Sequence, residues 1–271
     1  MPTTPTPGRG RRGVAVHGEG APQQGEDWLA EEAPLELRYN GRPFAVMMAT
    51  PLDLEDFATG FTLSEGLLAG ADGIRGVAVQ ALLEGWVVDI DAPGVAVPGD
   101  DAARLLPGRS GCGLCGSRRL EDVLRPLPSL PAGPRIEAQA LQRALAQLQQ
   151  RQPLKAATGA MHAAAWATVD GRLRHVREDV GRHNALDKLL GALVREGADP
   201  GDGFVLVSSR ASYEMATKAA RLGVGLLAAI SAPTTLAVDL ARDCGLTLVG
   251  FLRPGRQVVY THPQRLMQAP P

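Results

Sequence analysis

The order and spacing of apolar residues predict an α/β protein, α+β overall, with a smaller β-rich region ahead of a larger half in which parallel strands alternate with helices. Three observations carry this. Beyond about residue 200, short runs such as Phe204-Val205-Leu206-Val207 alternate with segments whose apolar residues recur at helical spacing. Asn40-Gly41 and Asp170-Gly171 each stand between strand-like runs, the sequence form of a hairpin turn. Proline-rich punctuation at 126–134 separates the two patterns. The expected divisions are a disordered Pro/Gly/Arg-rich tail over 1–25, a β-rich region over 26–130, and an α/β region over 131–271.

Residues 36–48 read as a hairpin around Asn40-Gly41. A helix over 51–69 is expected next, capped by Thr50, with Pro51 in its first position and Asp53 placed as in a capping box. Leu54, Phe57, Ala58 and Phe61 form its buried stripe. Short strands follow over 73–97, the clearest being Trp86-Val87-Val88-Asp89-Ile90. The glycine-rich stretch Gly111-Cys112-Gly113-Leu114-Cys115-Gly116 suits a loop, and a helix is expected over 136–150. In the second half a hairpin turns at Asp170-Gly171, and a helix over 184–194 buries Leu186, Leu189, Leu190 and Leu193. Strands at 204–207, 226–230 and 246–251 alternate with two helices, the first ended by Gly223 and the second by Gly245. That order implies parallel strands joined by crossovers.

Composition excludes several classes. A formal net charge of −1 gives no general attraction to nucleic acid or anionic membrane. No apolar run reaches the ~18–20 residues of a membrane span. Arg11-Arg12 lacks the apolar core of an export signal, so the cytoplasm is the expected compartment. Three cysteines make no disulfide framework, and Cys112 and Cys115 should be reduced there. Cys244, in an apolar helix, reads as a small core residue.

Three loops leave the carboxyl ends of the expected parallel strands: Ser208-Ser209-Arg210, Ser231-Ala232-Pro233-Thr234-Thr235 and Arg253-Pro254-Gly255-Arg256. Ligands of open α/β sheets bind along that edge. The first two loops open helices, whose free N–H groups favour anions, and Arg210, Arg253 and Arg256 add charge. A phosphate-bearing ligand suits such a rim, although helix capping is the commonest use of Ser and Thr at such places.

Cys112-Gly113-Leu114-Cys115 is the second focus. Arg109, Arg118 and Arg119 favour the thiolate, and the glycines leave the sulfurs accessible. Spacing alone leaves three readings open: half of a zinc site, a dithiol–disulfide couple, or a sulfur carrier working by persulfide. His162 invites comparison with zinc deaminases, whose pattern is H-x-E followed by P-C-x-x-C. Here Ala164 replaces the acid and the cysteines precede the histidine, which argues against deamination. Asp179 and His183, in Glu178-Asp179-Val180-Gly181-Arg182-His183-Asn184, read either as an acid–base pair or substrate clamp, or as a capped helix start with a surface histidine.

Several long motifs resemble the FdhD family of formate dehydrogenase accessory sulfurtransferases. They are Gly60-Phe61-Thr62-Leu63-Ser64-Glu65-Gly66, the Cys112 loop, Thr158-Gly159-Ala160-Met161-His162-Ala163-Ala164, and residues 178–188. Ser208-Ser209-Arg210-Ala211-Ser212-Tyr213-Glu214-Met215, Ser231-Ala232-Pro233-Thr234-Thr235 and Phe251-Leu252-Arg253-Pro254-Gly255-Arg256 complete them. The resemblance implies a homodimer with a cytidine deaminase-like, three-layer C-terminal half, in which no residue holds a structural metal. It implies that sulfur from a cysteine desulfurase is carried on Cys112, with Cys115 assisting. Its destination would be the molybdenum cofactor in its bis-guanine-dinucleotide form, a bound substrate, for insertion into formate dehydrogenase. Phe251, Leu252, Arg253, Pro254, Gly255 and Arg256 match the family's cofactor segment, and Ser209 and Arg210 lie on the same expected rim. The alternative function is a cofactor chaperone that carries no sulfur.

Overall fold

Asn40 and Gly41 both adopt positive φ, 55° and 77°, the conformation that a two-residue hairpin turn requires. They join β3 (Ala33–Tyr39) to β4 (Arg42–Ala49) in a computed structural model that describes residues 8–18, 22–97 and 127–267. With β5 (Gly76–Ala81) and β6 (Trp86–Asp91) these strands make a four-stranded sheet of order β4-β3-β6-β5, parallel only between β3 and β6. Helix α1 (Leu54–Ser64) covers it, and Phe57, Ala58 and Phe61 pack with Leu35, Leu37, Val88 and Ile90 in one apolar cluster.

Helix α1 starts later than the sequence suggests. Asp53 holds its N-cap position at φ 53° and makes no capping bond. Thr50 does not cap, because residues 179–188 claim it. Its N–H donates to Asp179 Oδ2 at 3.0 Å, its Oγ1 accepts from Val180 N–H at 3.2 Å, and its carbonyl accepts from Lys188 Nζ at 2.8 Å.

The second half is built on six strands in the order β13-β12-β11-β10-β8-β9. Strands β10 (Gly203–Val207), β11 (Leu226–Ala229) and β12 (Thr247–Arg253) are parallel, as the alternation predicts. Strands β8 (His162–Thr168), β9 (Leu173–Asp179) and β13 (Arg256–Val259) run antiparallel to their neighbours, so the sheet is mixed. Between β6 and β8 lie β7 (Ile136–Glu137), α2 (Ala138–Gln150) and α3 (Pro153–Thr158), while β14 (Leu266–Met267) pairs with β7.

Alternate residues of the strands face opposite layers. Val205 and Val207 pack with α4 (Arg182–Arg195), α5 (Tyr213–Arg221) and α6 (Thr235–Cys244). Phe204 and Leu206 pack with Leu141, Leu145 and Leu148 of α2 on the other face. Cys244 is 2% exposed within the first of these layers, and burial pushes its thiol pKa up, as suits a core residue.

Helices α1 and α4 join the two halves backbone to backbone. A Cβ on Gly60 would stand 1.8 Å from the Asp187 carbonyl oxygen, and one on Gly191 would stand 1.8 Å from that of Asp56. Buried ions secure the contact. Asp56 accepts from Arg177 at 2.7 Å and also from Arg195. Lys218 Nζ lies 2.5 Å from Glu65 and 2.9 Å from Asp187. Burial, opposed by Lys218 and reinforced by the second carboxylate, pushes the Asp187 pKa up.

The expected tail is ordered over much of its length. β1 (Arg9–Val16) pairs antiparallel with β2 (Gln23–Ala30) in full register, Arg9 opposite Ala30 and Val16 opposite Gln23. Trp28 lies under the guanidiniums of Arg9 and Arg11, 4.6 and 5.8 Å from the ring centroid, and Arg11 pairs with Glu26 at 2.9 Å. Cation–aromatic and cross-strand ionic contacts hold this hairpin where no apolar face announces it. Among the described residues no helix is long and apolar enough to cross a membrane.

Candidate functional site

The loops that leave β10, β11 and β12 are tied to one another through their backbones. Ile230 N–H donates to Val207 O (2.9 Å), Ser231 N–H to Ser209 O (3.3 Å), Phe251 N–H to Ser231 O (3.1 Å) and Ala211 N–H to Ala232 O (3.2 Å). Arg253 Nη1 donates to Ile230 O at 2.5 Å. The three segments therefore form one continuous rim at the carboxyl edge of the sheet, where α/β proteins bind ligands.

Within the 251–256 segment, side chains divide by strand alternation. Leu252 is fully buried in the layer under α2, so it anchors the segment and presents nothing to a ligand. Phe251 is 40% exposed and held at φ 48°, within a register irregularity between Gly250 and Arg253. Such bulges re-aim a side chain, and a left-handed aromatic residue is uncommon enough to mark a special position. Arg253, Pro254, Gly255 and Arg256 are exposed, and Gly255 turns at φ 73°.

Two glutamines that the sequence did not single out fix this turn. Gln142 of α2 accepts from Gly255 N–H at 3.0 Å and donates to Gln257 Oε1 at 2.7 Å, while Gln257 donates to Ala138 O at 3.2 Å. Beside them runs a groove of ≈ 440 Å³ lined by Gln139, Gln142, Gly255 and Arg256. A polar residue on an amphipathic helix carries no signal that distinguishes such a strut from a solvated side chain.

Hydroxyls on the rim are mostly committed within it. Ser209 is 5% exposed and donates to Arg210 O at 2.9 Å, so it shapes the loop and offers no free donor. Thr234 accepts from Ala237 N–H at 3.3 Å, the capping role. Ser208 Oγ accepts from Ala163 N–H at 2.8 Å and sits 3.4 Å from His162 Nδ1. Arg210 is exposed. Cys112 and Cys115 lie outside the described residues. Among the described residues, no group of three His, Cys, Asp or Glu side chains is arranged to hold a metal ion.

Asp179 and His183 do not pair with each other. Asp179 is fully buried and accepts from Thr50 N–H (3.0 Å), Gly181 N–H (2.7 Å), Asn184 Nδ2 (3.0 Å) and Lys188 Nζ (2.6 Å). It is a structural anchor, so the acid–base and clamp readings fail for it. His183 is no surface histidine: it is 2% exposed, with Nε2 at 2.7 Å from Glu214. His162 is half-buried, and its pKa is lowered, first by burial and then by the positive charges of Arg182 and Lys155.

The FdhD/NarQ family profile matches residues 30–267. The chain is 55% identical over 268 residues to the sulfur carrier protein FdhD of Xanthomonas campestris pv. campestris (strain B100), covering 98% of this chain and 95% of the relative. It is 53% identical over 245 residues to the FdhD sulfur carrier of Cupriavidus necator, covering 89% and 84%. A crystal structure from Desulfotalea psychrophila, assigned to the formate dehydrogenase accessory proteins, superposes with a TM-score of 0.77 at 25% identity, covering 96% of this chain and all of the other. A match across so much of the chain, by profile, by sequence and by fold, places it: the chain belongs to the FdhD/NarQ family.

Proposed function

We propose that this protein is a sulfurtransferase that takes persulfide sulfur from a cysteine desulfurase onto Cys112 and delivers it to the bis-guanine-dinucleotide molybdenum cofactor on behalf of formate dehydrogenase. Membership of a family whose relatives are sulfur carriers supports the sulfur half of this reading. The observation that carries the cofactor half is the joined rim, where exposed Phe251, Arg253, Arg256 and Arg210 stand on one edge. An aromatic face beside guanidiniums suits a purine joined to phosphates.

The sulfur chemistry balances with a donor persulfide, the two cysteines and an external thiol reductant. The Cys112 thiolate attacks the terminal sulfur of the donor persulfide, the donor S–S bond breaks, and the donor cysteine leaves as thiolate, with no net oxidation. The carried sulfur stands two electrons above sulfide. Attack of Cys115 on Cys112 sulfur releases it as hydrosulfide, and the two electrons come from closing a Cys112–Cys115 disulfide. Two equivalents of an external thiol, which leave as their own disulfide, then reset the pair.

Intact mass after incubation with a cysteine desulfurase and cysteine tests the proposal. A reducible gain of about one sulfur atom, absent from Cys112→Ala, is expected. No gain in either protein refutes sulfur transfer and leaves a cofactor chaperone, which Cys112→Ala would not impair.

A further inference from the structure

The start of α4 holds polar groups that neither the fold nor the proposed cofactor rim uses. Gly181 occupies the N-cap position, so no side chain caps this 14-residue helix. A Cβ there would stand 2.8 Å from Asn184 Nδ2, which keeps the position bare. In front of it lies a recess of ≈ 200 Å³, the volume of roughly six waters, lined by Glu32, Met48, His162 and residues 180–184. His183 and Asn184 line it and are each only 2% exposed, yet His183 Nδ1 and Asn184 Oδ1 have no hydrogen-bond partner. Arg182 Nε, also buried, has none either. Buried polar atoms left unpaired are rare, because each costs roughly 1–3 kcal/mol. Three of them beside one uncapped helix N-terminus describe a site whose ligand completes the bonding.

The chemistry of that ligand follows from the groups present. Free N–H groups of the first helical turn and a guanidinium favour an oxyanion. Asn184 has its amide nitrogen committed to Met48 O and Asp179, so its oxygen needs a donor. A protonated phosphate supplies both, with oxygens toward Arg182 and the amides and hydroxyls toward Asn184 Oδ1 and His183 Nδ1. The charge around the recess does not oppose this. Asp179 is neutralised by Lys188, Glu214 faces His183, and Glu32 is exposed at the mouth. Burial first, and then the positive charges of Arg182 and Lys155, lower the His162 pKa at the same place.

We propose that the recess at the start of α4 is a phosphate-binding site, separate from the 251–256 turn, with Arg182, His183, Asn184 and the first-turn amides as its ligands. The site stands independently of the sulfurtransferase reading. Four strand spacings separate β9 from β12, about 19 Å along the same edge, so the two sites do not overlap.

Titration of the full chain with inorganic phosphate at constant ionic strength, followed by calorimetry and by NMR of the His162 ring, tests it. Expected are saturable binding and a His162 titration midpoint raised by the bound anion. Affinity should fall about tenfold or more in Arg182→Gln. Guanosine monophosphate identifies the source: tighter binding than phosphate with the same Arg182 dependence assigns the recess to a phosphate ester, while equal or weaker binding assigns it to free phosphate. Absence of saturation by either probe below about 10 mM overturns the proposal. So does binding indifferent to Arg182→Gln. Arg182 forms no bond of the fold through Nε, so its variant tests the recess and leaves the α4 anchor intact.

Discussion

Replacing Lys188 with Met tests whether a buried ion pair within the second half fastens the first half to it through Thr50. Lys188 and Asp179 are both fully buried and 2.6 Å apart. Methionine keeps most of the aliphatic stem and removes the ammonium, leaving a buried carboxylate without a counter-charge and the Thr50 carbonyl with the Leu52 N–H as its remaining donor. Breaking such a pair from one side costs about 3–5 kcal/mol. Three N–H donors still reach Asp179, from Thr50, Gly181 and Asn184, which argues for the lower end, about 3 kcal/mol. With a urea slope of about 2 kcal/mol/M, the midpoint at pH 7 falls by about 1.5 M. Asp179→Asn strands the ammonium and should cost a similar amount. The double variant strands neither charge, so its loss should fall short of the summed single losses by at least about 2 kcal/mol. Single shifts below about 0.5 M that add in the double variant would rule out a dry, fastening pair, because they would mean that water reaches it.

Gly191→Ala drives a methyl group into the Asp56 carbonyl and should cost about 3 kcal/mol or more in urea unfolding, where an ordinary helix Gly→Ala change is stabilising. Gln142→Ala releases the turn at Gly255, so guanine-nucleotide affinity by calorimetry should fall about five- to tenfold while the urea midpoint barely moves. His162 should titrate by NMR below its ordinary 6.5, since burial and neighbouring cations depress its folded pKa. Its contribution to stability is therefore present above the unfolded pKa and lost as pH falls through the folded value. His162→Gln should flatten that acid-side loss, and an unchanged stability–pH profile in the variant would contradict the assignment.

The parts of this fold that sequence exposes are those set by local periodicity. Residues 203–253 alternate strand and helix with short connections, and Asn40-Gly41 admits little besides a hairpin turn, so these elements appear where expected. The rest depends on partners far along the chain. Thr50 looks like a helix cap until Asp179 and Lys188, more than 120 residues away, take its amide and carbonyl. Hairpin β1–β2 has no apolar face, and its arginines and Trp28 read as tail until the strands pair. On the rim, sequence placed Ser209 and Leu252 among the ligand contacts. Strand alternation buries Leu252, and Ser209 turns its hydroxyl onto its own loop.

The stretch from Glu178 to Asn184 shows why a dense polar motif resists a single interpretation. Asp179 and the amide nitrogen of Asn184 are turned inward, toward Thr50 and Met48, and hold the β-rich half against α4. The Nε of Arg182, the Nδ1 of His183 and the oxygen of Asn184 stay unpaired on the recess side of the same turn. One residue, Asn184, serves both directions with its two amide atoms. Loss of function in an Asn184 or Asp179 variant would therefore report on fastening and binding together, and could not assign either. Arg182 is the position where the two separate: its Nε makes no hydrogen bond, whereas the Asp179–Lys188 pair lies wholly inside the joint. If Arg182→Gln weakens phosphate binding at unchanged urea midpoint, and Lys188→Met lowers the midpoint, the motif divides into a fastener and a ligand site that share a single turn of helix.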